Sequence, residues 1–90
     1  MEAEYDSAKA VSNKKKHGVS FAEALTALSD EQAIWIEDPD SQGERRWIFW
    51  GISDRGRLLA VVMTFRGDRI RVISARKATK SEVRSYAQRI

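Results

Sequence analysis

Residues 57–76 constrain this 90-residue chain most, because Gly67 and Asp68 interrupt an otherwise continuous run of strand-forming side chains. Such a pair reverses the chain tightly, so residues 57–66 and 69–76 read as two antiparallel strands. A two-residue hairpin sets Arg66 opposite Arg69, Phe65 opposite Ile70, Thr64 opposite Arg71 and Met63 opposite Val72. In that register Met63, Phe65, Ile70 and Val72 share one face, and Thr64 and Arg71 point to the other. Arg76 has the opposite parity from Arg71. The two arginines serve one pocket only if Arg76 lies at the rim or the strand bends.

The rest of the chain supplies elements for that hairpin to pack against. Residues 45–52 form an aromatic strand, with Trp47 and Phe49 on one face and Ile48 and Trp50 on the other. Residues 33–37, including Ile34, Trp35 and Ile36, form a shorter one. Asp6 caps a first helix that runs to about Lys16 and ends near His17 and Gly18. Its Asp6, Lys9, Asn13 and Lys16 form a polar stripe, opposed by a small apolar contact from Ala8 and Val11. Ser20 and Glu23 have capping-box spacing, opening a second helix to about Leu28 with Phe21, Ala24, Leu25 and Leu28 on its buried face. Thr79 and Glu82 repeat that spacing. Ala78 and Val83 stand at staple spacing, and Val83, Tyr86, Ala87 and Ile90 make a packing stripe for a final helix. The expected fold is α+β, one domain over residues 1–90, with two N-terminal helices, a four-stranded mainly antiparallel sheet and a C-terminal helix.

Several chemistries are excluded by composition. Without cysteine there is neither a disulfide nor a thiolate, and one histidine does not make a zinc site. Glu37, Asp38 and Asp40 flank Pro39 and read as a solvated turn, so no metal or cofactor is expected. No apolar run spans a bilayer and the first twenty residues lack a secretory core, which points to a cytoplasmic protein without a membrane role. The net charge of +3 hides a division. Through Glu44 there are four basic and ten acidic residues, and beyond it twelve basic and three acidic. That basic half either attracts phosphates or pairs with the acidic half.

Tyr5, Asp6, Lys9, Asn13 and Lys16, followed by His17, Gly18, Val19, Ser20 and Phe21, resemble the N-terminal region of the BrnT family of bacterial toxins. Glu44, Arg45 and Gly51, then Ile70, Arg71, Val72, Ile73, Ser74, Ala75, Arg76, Ala78, Thr79, Glu82 and Tyr86, extend the resemblance. Tyr5 stands where many members carry tryptophan, and Ala3 where phenylalanine is common. The resemblance implies a RelE-like compact domain with a curved sheet and a toxin endoribonuclease that inhibits translation. It also implies a BrnA-like antitoxin partner that makes most of the DNA contact, in a heterotetramer of two toxins and two antitoxins.

Cleavage of RNA without a metal activates a ribose 2′-OH to attack its own phosphate, so the protein must align atoms, stabilise phosphoryl charge and move protons. Arg71 and Arg76 are the first candidates for phosphate contact, because guanidinium groups bind phosphate bidentately. His17 carries the imidazole, the side-chain type suited to proton transfer near neutrality, or else holds the end of the first helix. Arg45 and Glu44 are further catalytic candidates, Glu44 also being placed to pair with an arginine. Lys16, Arg46, Arg69, Lys77 and Lys80 are candidates for RNA contact. Trp35, Trp47, Trp50 and Tyr86 offer either base stacking or core volume. Two other functions remain open: a catalytically weak toxin-fold protein acting as an antitoxin-binding corepressor, and a non-catalytic nucleic-acid-binding domain.

Overall fold

The computed structural model describes residues 2–41 and 43–88. Among them five strands form one mixed sheet: β1 (Ala3–Glu4), β2 (Ile34–Glu37), β3 (Trp47–Ile52), β4 (Leu58–Arg66) and β5 (Arg69–Lys77), in the spatial order β1-β5-β4-β3-β2. Helices α1 (Ser7–His17) and α2 (Phe21–Thr26) precede β2, the latter continued by a 3-10 turn at Ala27–Ser29, and α3 (Lys80–Gln88) follows β5.

The hairpin adopts the expected pairing at all four positions from Arg66–Arg69 to Met63–Val72. Beyond it the register slips, so that Val62 faces Ser74 and Ala60 faces Arg76, leaving Ile73 as the extra residue of a β-bulge. Thr64 and Ala60 are four residues apart on an unbroken β4 and share a face, so Arg71 and Arg76 do as well. The bend that the parity argument required is this bulge.

The expected four-stranded sheet gains a fifth member, because β1 pairs parallel to β5, Ala3 opposite Ile70 and Glu4 opposite Arg71. Two residues carry no readable alternation, which is why the sequence hides this strand. β3 starts at Trp47, so Arg45 and Arg46 belong to the preceding turn.

One face of the sheet supplies Phe49, Leu59, Val61, Met63, Ile70, Val72 and Ala75, and the helices supply Val19, Phe21, Ala24 and Ala27 to the same core. Gly51 lies on this face where the 3-10 turn comes closest. A Cβ there would sit 2.6 Å from the Ala27 carbonyl oxygen and 2.5 Å from the Phe49 ring. The opposite face carries Ile48, Trp50, Ala60, Val62 and Thr64 beside Arg71, Ser74 and Arg76.

Helix α1 meets the sheet with its polar stripe, the reverse of the expected orientation. Val11 is 60% exposed and Asn13 only 8%. The Asn13 Nδ2 donates to the Val19 carbonyl at 2.9 Å and to the Ala75 carbonyl at 2.8 Å, while the Ala75 N–H donates to Asn13 Oδ1 at 3.2 Å. The side chain thus occupies the outer edge of β5 as a neighbouring strand would.

Asp6 and Ser20 cap α1 and α2 as expected, and Gly18 ends α1 in the left-handed region at φ +71°. Glu23 does not turn back to close a box with Ser20. Its buried carboxylate accepts from Arg57 Nη2 at 2.6 Å and Nε at 2.8 Å and from the Ser53 hydroxyl at 2.7 Å. Thr79 and Glu82 do form a reciprocal box. The apolar stripe expected on α3 is not buried: Val83 and Ala87 are exposed, Tyr86 is half-buried, and Ile90 lies outside the described residues. Polar contacts hold the helix instead, through Glu82 and through the Tyr86 hydroxyl, which donates to Asp30.

Asn13→Ala leaves the Ala75 and Val19 groups without their partner at a largely buried site. Urea unfolding is expected to show a loss of about 3 kcal/mol. Gly51→Ala forces the Phe49 ring and the Ala27 backbone apart, with an expected loss of roughly 2 to 3 kcal/mol in the same measurement. The Arg57 hydrogen bonds, aided by Ser53, hold the Glu23 carboxyl at about 2 against an ordinary 4.5. Its contribution to stability, on the order of 3 kcal/mol, is therefore complete above pH 4.5 and disappears as the pH falls towards 2. Unfolding measured from pH 6 down to about 2 is expected to show this acid loss, and Glu23→Gln to flatten it.

Candidate nucleic-acid interface

The β5 bulge gathers three polar side chains on the face turned away from α1 and α2: Arg71, Ser74 and Arg76. Arg71 and Arg76 stand four ladder positions apart, or about 13 Å along the strand, with Ser74 between them. They are therefore neighbours on a surface rather than a pair closed on one atom.

Their surroundings differ. Arg76 donates from Nη1 to Glu82 Oε1 at 2.8 Å and from Nη2 to Oε2 at 3.1 Å. The same carboxylate accepts from the Trp50 indole N–H and the Thr79 backbone N–H, both at 2.8 Å. Chiefly through the Arg76 hydrogen bonds, the Glu82 carboxyl is held at about 2, and Arg76 is raised in return. Arg71 is half-buried and reaches Glu4 through a single Nη1 hydrogen bond at 3.2 Å. Asp6, held below its ordinary value first by the N–H groups of Lys9 and Ala8, also feels the charges of Arg71 and Lys9.

The other arginine candidates have carboxylate partners of their own or are exposed. Arg45 makes a bidentate pair with Glu37 at 2.8 and 2.9 Å and lies 5.6 Å over the Trp47 ring. Glu44 is 3.6 Å from Arg66. Glu44, Arg45, Trp47, Thr64 and Phe65 line a depression at the C-terminal end of β4, where Thr64 faces Arg71 and donates to the Arg45 carbonyl at 2.7 Å. Arg69 pairs with Glu2 at 3.1 Å, and Arg46, Lys77 and Lys80 are exposed. None of the three tryptophans is fully buried. Trp35 packs edge-on to Phe49 with ring centres 4.6 Å apart, and Trp47 meets Phe65 at 6.4 Å.

His17 and Lys16 lie in a groove between α1 and the bulge of β5, together with Lys9, Ser12, Ile73 and Ser74, with Asn13 in its wall. Ser74 joins this groove to the face that carries Arg71 and Arg76. Of these, Lys16 and His17 are candidates on sequence grounds, and Lys9, Ser12 and Ser74 join them only in the structure. The spacing of residues 9, 12, 13 and 16 puts them on one helical stripe, and that was the available signal. Ser74 gave none, because its placement depends on the bulge.

Among the described residues, no three histidine or acidic side chains converge as metal ligands, and no helix is long and apolar enough to cross a membrane. Among proteins with curated descriptions, none matches this sequence. A solved structure does: the crystal structure of the ribonuclease toxin BrnT from Brucella abortus, 26% identical, superposes with a TM-score of 0.66 over 89% of this chain and 99% of that one. The family described as the ribonuclease toxin, BrnT, of type II toxin–antitoxin systems matches residues 5–82. That match runs from the residue before the α1 cap to the glutamate that holds α3, and with it the chain belongs to the BrnT family of ribonuclease toxins.

Proposed function

We propose that this protein is a toxin endoribonuclease that inhibits translation in the cytoplasm by metal-independent attack of a ribose 2′-OH on the adjacent phosphate. The observation that carries this reading is the junction at Ser74, where the His17–Lys16 groove opens onto the face bearing Arg71. A phosphodiester lying across that junction meets a guanidinium for developing phosphoryl charge and an imidazole for proton transfer. The donor set supports chemistry without a metal, since its members are cationic or neutral.

Among the arginines, Arg71 is the best suited to bind a reacting phosphate. Its single hydrogen bond to Glu4 at 3.2 Å is easily exchanged for phosphate oxygens. Arg76 would have to abandon two charge-assisted bonds to Glu82, so its role is to position α3 and Trp50 beside the site. Arg45 and Glu44 lie with their own partners at the C-terminal end of β4, beside the Thr64 that faces Arg71, and serve RNA or antitoxin contact. Arg46, Arg69, Lys77 and Lys80 extend the basic surface that RNA would cross.

The partner in this reading is a BrnA-like antitoxin, assembled as two toxins with two antitoxins, with DNA contact made mainly by the antitoxin. The widespread pairing of arginines with carboxylates also favours a second reading, a catalytically weak toxin fold acting as corepressor.

Cleavage of a defined RNA separates the two. The expected products carry 2′,3′-cyclic phosphate and 5′-hydroxyl ends and form equally well with chelator present. Arg71→Ala, with its circular dichroism unchanged, is expected to lower kcat/KM by roughly 100-fold. Metal-dependent cleavage leaving other ends would overturn the mechanism, and no cleavage by folded protein would leave the corepressor reading.

A further inference from the structure

Ion pairing divides the basic residues of this protein into two classes. Arg45, Arg55, Arg57, Arg66, Arg69, Arg71 and Arg76 each stand within 4 Å of a carboxylate. Among the described residues no lysine does, and of the lysines Lys9 and Lys16 line the groove between α1 and β5. Three other concave surfaces among the described residues carry acid: Glu82 beside Trp50, Glu44 beside Arg45, and Asp30 with Asp54 beside Ile52. The α1–β5 groove has two lysines, a histidine and two serine hydroxyls, with no carboxylate in its wall.

We propose that this groove is the seat of the RNA backbone next to the cleaved bond, with Lys9 and Lys16 neutralising its phosphates and the Ser74 hydroxyl donating to a phosphoryl oxygen. The proposal rests on reading the chain as a ribonuclease and assigns Lys9, Ser12 and Ser74 to its substrate. Seven residues of helix separate the two lysines, about 10 Å along the axis, so they flank the groove rather than crowd one point. Asn13, between them, is spent on the β5 backbone and fixes the spacing between helix and strand. The bulge at Ile73 turns Ser74 so that it lines this groove while its ladder position is on the face of Arg71. Both lysines are exposed, so their charge is open to a polyanion laid along the groove.

The test uses an RNA oligonucleotide with every 2′-OH methylated, which cannot be cleaved by internal attack, so binding is read apart from catalysis. Lys9→Gln with Lys16→Gln is expected to weaken its binding roughly tenfold and to reduce the salt slope by about 1.4, two contacts at about 0.7 each. Lys14→Gln with Lys15→Gln removes equal charge from the same helix outside the groove, and binding is expected to stay within about twofold. On unmodified RNA, Ser74→Ala is expected to lower kcat/KM roughly tenfold, and Ser74→Thr to restore it. Equal weakening by both lysine pairs, no binding of the methylated RNA, or no change in Ser74→Ala would overturn the proposal. Cleavage by the wild type with unaffected groove variants overturns the groove and leaves the ribonuclease. Groove-dependent binding without any cleavage supports the groove and removes the ribonuclease.

Discussion

The Asn13 side chain is the contact on which the rest of the molecule depends. β5 is covered on its outer side by β1 only at Ile70 and Arg71, which leaves the N–H and carbonyl of Ala75 without a strand neighbour. An amide side chain has one donor group and one acceptor, and Asn13 offers them to the Ala75 carbonyl and N–H in the way a strand would. Its second N–H goes to Val19, the first residue of the core after α1. One residue therefore closes the sheet edge, sets α1 against β5 and fixes the turn into α2. Because the contact is polar and buried, α1 is held by direction as well as by area, and the stripe around Asn13 has to face the strand.

That orientation decides where free charge lies. The acidic first half and basic second half largely neutralise one another: of seven ion pairs among the described residues, six join an acid from residues 1–44 to an arginine beyond. The C-terminal half is therefore less of a phosphate-attracting surface than its composition suggests. Among the described residues the lysines of α1, the cations of the acidic half, stand in no such ion pair, although Lys9 shares the field of Asp6. A sum over sequence puts the positive potential on β4 and β5, whereas the pairing moves part of it to the edge where α1 lies.

The sequence carried the parts of this fold that are local. The Gly67–Asp68 reversal gave the hairpin register, and Asp6, Ser20 and Thr79 gave helix starts, because each is a short-range choice between backbone conformations. Non-local choices stayed hidden. Ile73 is a good strand residue and nothing beside it signals a bulge, so the parity that separated Arg71 from Arg76 was correct for a regular strand and wrong for this one. Helical spacing identified the stripes on α1 and α3 but not what each would meet. Glu23 sat at capping-box distance from Ser20 and was drawn instead to Arg57, thirty-four residues away, since a buried carboxylate requires a charged partner more than a helix start requires a second bond.

The two arginines of β5 show how shared geometry divides into different roles. Both are guanidinium groups on one face, and composition treats them alike. Glu82 serves the α3 cap, the Trp50 indole and Arg76 at once, so moving Arg76 towards a ligand would loosen the helix and the ring together. Glu4 belongs to a two-residue strand at the sheet edge and holds Arg71 by one long bond. The bulge that puts both side chains on one surface thus leaves them energetically distinct, with Arg71 held by one exchangeable bond and Arg76 committed to Glu82 by two.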